Sequence, residues 1–154
     1  MIITVKPAPF LKGQIQLPAS KSYSIRGFMA ALCGGRSTII HPSDCDDALV
    51  AMRVIKALGA RVIGHRNHCW EVVAAKNKKK SLKINVKESG TVLRLLLPLL
   101  FLYSERATVM GEGTLKTRPN LFLMQALRRM GLAICGEGEK ETVPMNEWRR
   151  AVGR

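Results

Sequence analysis

The feature that most constrains this chain is a repeat, in which one order of strands and helices recurs after about 70 residues. Near Ser22 a hydroxyl-rich turn opens a helix containing Arg26, and near Ser89-Gly90-Thr91 a similar turn opens a helix containing Arg94. A short β-branched strand follows each helix, Ser37-Thr38-Ile39-Ile40 in the first unit and Ala107-Thr108-Val109-Met110 in the second. Turns at 41–44 and 111–114 then lead to a second amphipathic helix. It carries Ala48, Met52 and Ile55 in the first unit and Leu123, Leu127 and Met130 in the second. Pro119 suits the first turn of the later helix. Gly59 and Gly131 suit C′ positions, each followed by an apolar strand start at 61–63 or 132–134. Each unit therefore reads strand–helix–strand–helix–strand, with an extra strand at 69–73 closing the first. Such alternation implies an α/β layer architecture. The second unit fades after Cys135.

A chain of 154 residues can bury a real core, and its 47% hydrophobic content argues against disorder. The formal charge of +14 directs attention to anionic partners, nucleic acid first. Part of that charge sits in Lys76, Lys78, Lys79 and Lys80 and in Arg149-Arg150, which read more simply as a solvated turn and a chain end. The two Trp and two Tyr are scattered and provide no stacking platform for single strands. Nucleic acid is thus not the expected partner. The cysteines, Cys33, Cys45, Cys69 and Cys135, include no Cys-x-x-Cys pair, and no secretory signal precedes them. Reduced thiols and a cytoplasmic location are expected, with Cys33 and Cys135 in the core. His65, His68 and Cys69 lack a fourth ligand, and 60–73 reads as a hairpin, so no metal is expected there. The longest apolar run, 92–103, is too short for a membrane span and reads as a buried helix.

The chemistry concentrates in Leu17-Pro18-Ala19-Ser20-Lys21-Ser22-Tyr23-Ser24-Ile25-Arg26. Ile25, Phe28, Met29 and Leu32 fall at the spacing of one buried helical stripe. Pro18 favours extended chain before it, and Ser20 or Ser22 is a good N-cap. Lys21, Ser22 and Arg26 would then converge with free backbone N–H groups at a helix N-terminus, a site for phosphate or carboxylate. Asp46 and Asp47 are expected to cap the helix after them. Arg94, in the apolar run, is expected to be structural and to need a carboxylate partner such as Glu88 or Asp47.

Taken together, several segments resemble the enolpyruvylshikimate-phosphate synthase (3-phosphoshikimate 1-carboxyvinyltransferase) family in its N-terminal part. They are the 17–26 segment, Asp44-Cys45-Asp46-Asp47, Ala57-Leu58-Gly59, Ser89-Gly90-Thr91-Val92-Leu93-Arg94 and Lys116-Thr117-Arg118-Pro119. They occur in family order across residues 12–135. Lys21-Ser22 favours the shikimate branch over the sister UDP-N-acetylglucosamine enolpyruvyl transferases, which have Lys-Asn there.

The resemblance implies repeated βαβαββ units, three to a domain in two domains, of which this chain would hold about two. On that basis residues 1–14 would form strand or strands belonging to, or crossing from, the other domain. Residues 15–84 would be the first unit, 85–135 a second and incomplete unit, and 136–154 an irregular tail, as in a truncated or frame-shifted product. The implied activity moves the enolpyruvyl group of phosphoenolpyruvate to shikimate 3-phosphate without metal or organic cofactor. The implied shikimate 3-phosphate residues are Lys21, Ser22 and Arg26. Those implied for phosphoenolpyruvate are Lys21, Gly90 and Arg118, with Lys21 catalytic. A second chain supplying the missing domain is one implied partner. The chain departs from the family pattern at Ile25 and Glu88, where asparagine is usual, and at Leu95, where proline is usual. A non-catalytic anion-binding module and a basic nucleic-acid-binding protein remain the alternatives.

Overall fold

The computed structural model describes residues 2–66 and 68–148. Among the described residues, five α-helices and seven strands follow one another as α1 (Lys21–Ala30), β1 (Arg36–Ile40), α2 (Asp46–Ala57), β2 (Arg61–His65), β3 (Cys69–Val73), β4 (Leu82–Asn85), α3 (Gly90–Leu96), α4 (Leu100–Tyr103), β5 (Arg106–Met110), α5 (Leu121–Arg129), β6 (Ala133–Glu137) and β7 (Thr142–Trp148). The first sheet has the order β1-β3-β2 and the second β4-β5-β7-β6. In the first, β1 and β2 both run antiparallel to the central β3, so α2 serves as the crossover between like-directed strands. In the second, β4 and β5 are parallel, while β7 runs antiparallel to both β5 and β6.

The repeat is real, but its bounds differ from those read off the sequence. The second unit begins at β4, so a boundary between 84 and 85 would cut that strand, and it ends at β7. It is therefore a complete βαβαββ unit, not an incomplete one, and 142–148 is a strand rather than an irregular tail. Pro144 concealed it: a proline cannot donate to a ladder and demotes a run that otherwise reads as a strand. Here it falls where the β6–β7 register shifts, between Cys135 and Glu137. Residues 149–154 lie outside the described part. The first unit is the shorter one. Residues 2–20 form no helix or strand, so the strand expected within 1–14 does not form over the described part. The outer edge of β1 accordingly carries no strand among the described residues, whereas its counterpart β5 carries β4 there.

One contiguous apolar core unites the two units. The predicted stripe of α1 is buried as Ile25, Phe28, Met29 and Leu32, and it packs on α2 and α3. Val54, Ile55 and Leu58 of α2 and its C-terminus complete that layer with Leu93, Leu96 and Leu97. The run 92–103 is not one buried helix. It breaks into α3, a 3-10 turn at Leu97–Leu99 and α4, because Pro98 lacks the N–H that a continuous helix needs. Arg94 is exposed, and so are Phe101 and Leu102. Cys33 is also exposed and Cys135 only half-buried, against the expectation that both are core; all four thiols are free. Among the described residues, no helix is long and apolar enough to cross a membrane.

Candidate functional site

Ser20 is the N-cap of α1, in extended conformation, and its hydroxyl accepts from the Tyr23 N–H at 3.3 Å. The Ser24 hydroxyl donates to Ser20 O at 2.8 Å and accepts from the Ser43 N–H at 2.7 Å, which fixes the helix start against the loop leading to α2. Lys21, Ser22 and Arg26 all stand exposed around this terminus. Arg26 folds back along the helix, donating from Nη1 to Ser22 O at 3.2 Å. A guanidinium, an ammonium and a hydroxyl thus share the positive end of one helix dipole. The Lys21 ammonium pairs with the Asp47 carboxylate at 3.2 Å. Asp47 and Asp46 lie in the first turn of α2, whose N-cap is Cys45, so neither aspartate caps that helix by a side-chain hydrogen bond.

A second group gathers where α3 begins. Gly90 is buried at the first position of α3, and a Cβ placed there would lie 3.3 Å from Arg118 Nη1. Gly90 and Arg118, 28 residues apart in the sequence, are therefore neighbours in space. Arg118 also donates from Nη2 to the Thr114 hydroxyl at 3.0 Å. Thr114 in turn faces Glu88, whose Oε2 accepts from the Thr114 N–H at 3.1 Å and hydroxyl at 3.3 Å. Close by, Glu112 accepts from Lys87 Nζ and Asn85 Nδ2, both at 2.7 Å. The Lys87 hydrogen bond first, then that from Asn85, holds its carboxyl below the ordinary carboxylate value. The Ser89 hydroxyl between Glu88 and Gly90 is buried with no partner among the described residues.

Neither suggested carboxylate partner reaches Arg94: its Nε donates to Asn120 Oδ1 at 3.3 Å. Asn120 is buried and also donates to Arg118 O at 2.9 Å, so it ties the two arginines' segments together. Ile25, which stands where the resemblance has asparagine, is fully buried in the core. Sequence reasoning singles out neither Thr114 nor Asn120, and it gives Asp47 a different partner; the contacts Lys21–Asp47, Glu88–Thr114 and Arg94–Asn120 each join residues 26 apart, a span that no local spacing encodes.

Two clefts flank these groups. One of about 470 Å³ lies between 16–19 and the loop 41–44, beside His68; the other, about 510 Å³, is lined by Arg94, Asn120, Phe122 and Lys140. Neither is lined by Lys21, Ser22, Arg26, Gly90 or Arg118. His68 stacks on His41 with ring centroids 6.1 Å apart. Among the described residues no group of three or more His, Cys, Asp or Glu is placed to hold a metal ion. In the lysine-rich turn, Lys79 Nζ donates to Ala57 O at 2.7 Å and Lys78 Nζ to Phe101 O at 2.8 Å. Two of those four lysines thus satisfy helix carbonyls, the place where cations are favoured.

The chain is 31% identical over 146 residues to the 3-phosphoshikimate 1-carboxyvinyltransferase of Methanococcus maripaludis, covering 94% of this chain and 34% of that protein. It is 34% identical over 126 residues to the enzyme of the same name from Caldivirga maquilingensis, covering 81% of this chain and 30% of that one. The EPSP synthase structure from Acinetobacter baumannii superposes with a TM-score of 0.76 at 27% identity, over 88% of this chain and 32% of that one. The chain spans about a third of the length of the curated relatives it matches. The family's sequence model matches residues 5–152, which takes in the 136–148 segment that the motifs alone had left outside the resemblance. This chain belongs to the EPSP synthase (3-phosphoshikimate 1-carboxyvinyltransferase) family.

Proposed function

We propose that this chain forms the N-terminal part of an enzyme that transfers the enolpyruvyl group of phosphoenolpyruvate to a hydroxyl of shikimate 3-phosphate, releasing phosphate. The reading is supported chiefly by the gathering of Lys21, Ser22 and Arg26 at the capped N-terminus of α1, in a chain of this family. Ser22 and Arg26 hold the shikimate 3-phosphate, Lys21 contacts both substrates as a catalytic cation, and Gly90 and Arg118 line the phosphoenolpyruvate end. Both substrates are polyanions, so fixed guanidinium forks suit their phosphate and carboxylate oxygens. Gly90 leaves room for the Arg118 guanidinium and lets a ligand approach the backbone. The place of action is the cytoplasm.

The transfer also moves a proton at the enolpyruvyl carbon, which needs a positioned acid and base. Of the carboxylates near these cations, Asp47 is engaged by Lys21 and Glu88 by Thr114. The acid and base, and the surface that closes over the open cations to exclude water, come from the remainder of the enzyme or from a second chain. In this reading residues 1–14 cross to that other domain, and the chain by itself binds without turnover.

A thermal-shift series with shikimate 3-phosphate and shikimate tests the reading, since a ligand that binds only the folded state raises Tm. Shikimate 3-phosphate is expected to raise Tm, shikimate to leave it unchanged, and Lys21→Ala or Arg26→Ala to abolish the shift. Equal shifts with both ligands, or a shift indifferent to both substitutions, would overturn it. Phosphate release from the two substrates, measured in parallel, is expected to be absent for the 154-residue chain alone. Lys21-dependent release would refute the claim of incompetence.

A further inference from the structure

We infer that Glu88 and Thr114 form a polar relay that positions Arg118, and that Thr114 is a positioning residue for the phosphoenolpyruvate end of the site. The inference rests on the reading of Gly90 and Arg118 given above. A carboxylate can only accept hydrogen bonds, so the Thr114 hydroxyl, 3.3 Å from Glu88 Oε2, must donate its single proton to Glu88. Its lone pairs are thereby turned to Arg118, whose Nη2 donates to it at 3.0 Å. The Thr114 backbone N–H, at 3.1 Å from the same Oε2, fixes the turn as well as the side chain. One end of the guanidinium is thus held, and Nη1 is left on the Gly90 side.

Gly113 is what permits the carboxylate to lie there. It adopts φ +49°, and a Cβ on it would fall 2.3 Å from Glu88 Cδ and 2.4–2.5 Å from both carboxylate oxygens. A side chain at 113 would displace the Glu88 carboxylate from that place. The backbone around the relay is also tied across the sheet end, with the Glu112 N–H donating to Lys87 O at 2.8 Å. Glu88 stands where the family pattern has asparagine, so this arrangement is the chain's own solution for holding its arginine. It has an electrostatic consequence: the carboxylate that orients Arg118 also offsets part of its charge.

The test is phosphoenolpyruvate binding to the whole chain as wild type, Arg118→Ala, Thr114→Val, Thr114→Ser, Glu88→Ala and the Glu88→Ala/Thr114→Val double variant. Arg118 side-chain relaxation is measured by NMR in the same set without ligand. Thr114→Val removes the hydroxyl at nearly constant volume and leaves the Glu88 charge in place. It is expected to weaken binding by about threefold to tenfold, the range for one hydrogen bond. Thr114→Ser is expected to restore binding, and the double variant to bind no more weakly than Thr114→Val, since both act on one relay. The Arg118 guanidinium is expected to be motionally restricted in wild type and Thr114→Ser and averaged in Thr114→Val. Wild-type affinity in Thr114→Val, no rescue by serine, or equal Arg118 motion in all variants overturns the relay. If Arg118→Ala binds as wild type does, the phosphoenolpyruvate reading has failed instead, and the relaxation data alone decide the relay.

Discussion

Lys21 and Asp47 form an ion pair at 3.2 Å that joins the first turn of α1 to the first turn of α2. Their side chains are 58% and 29% exposed, so the pair contributes less than about 1 kcal/mol to stability. Its larger effect is on charge, because Asp47 offsets the cation that an anionic ligand would meet. Asp47→Asn is expected to leave Tm nearly unchanged and to tighten shikimate 3-phosphate binding by about twofold at low salt, the scale of one charge acting through high dielectric. Titration calorimetry at two salt concentrations checks this; weaker binding in Asp47→Asn would show that orientation of Lys21 outweighs its neutralisation.

Glu147 sets a pH dependence. It is 7% exposed on β7, beside Ala107 and Ile134 in the neighbouring strands, and its Oε2 has no hydrogen-bond partner among the described residues. Burial raises its pKa from 4.5 to about 7. The folded state therefore binds this proton more tightly than the unfolded chain does. Stability is fully present below pH 4.5 on this group's account and is lost as pH rises through about 7. The loss is on the order of 3 kcal/mol. Urea unfolding between those limits is expected to show this slope in wild type and a flatter profile in Glu147→Gln; parallel profiles would contradict it.

Gly90→Ala separates the two ends of the site. The new methyl would sit 3.3 Å from Arg118 Nη1 and 3.7 Å from Leu115 Cδ1, so the guanidinium must yield by a few tenths of an ångström. Alanine at the start of a helix carries no penalty of its own, so Tm should hold or rise slightly. Phosphoenolpyruvate binding is expected to fall several-fold while shikimate 3-phosphate binding is unchanged. A comparable loss for both ligands, followed by calorimetry, would mean that Gly90 supports the fold rather than one subsite.

Phe28 is the largest fully buried side chain of α1, which packs on α2 and α3. Phe28→Ala removes a large side chain from a close-packed site and is expected to cost about 3–5 kcal/mol. In urea the midpoint should drop with the slope unchanged. A loss under about 1 kcal/mol would mean that α1 is not seated in the core as described.

What the sequence makes legible follows from the range of the interactions concerned. The stripe Ile25, Phe28, Met29 and Leu32 is a local periodicity, and it is buried where that periodicity puts it. The Ser20 cap and the hairpin of β2 and β3 are equally local. The end of the second unit was illegible because Pro144 interrupts the strand pattern of β7, and only pairing with β5 and β6 reveals it. The run 92–103 reads as one buried helix because it is almost continuously apolar, and that uniformity hides the break at Pro98 and the exposure of Arg94. The neighbourhood of Gly90 and Arg118 came from a resemblance, and residue spacing alone would not have joined them. Glu88 is legible as a departure and as a candidate partner of Arg94, but its actual partner Thr114 lies 26 residues away.

In the proposed function Lys21 and Arg26, at the N-terminus of α1, recognise a phosphorylated sugar-like acid. Isothermal titration of the folded chain with shikimate 3-phosphate, with Lys21→Ala and Arg26→Ala alongside, tests it most directly. Heat that saturates in wild type and is lost in both variants is expected, with folding verified by circular dichroism. A folded wild-type chain that gives no heat, or heat that survives both substitutions, would contradict it.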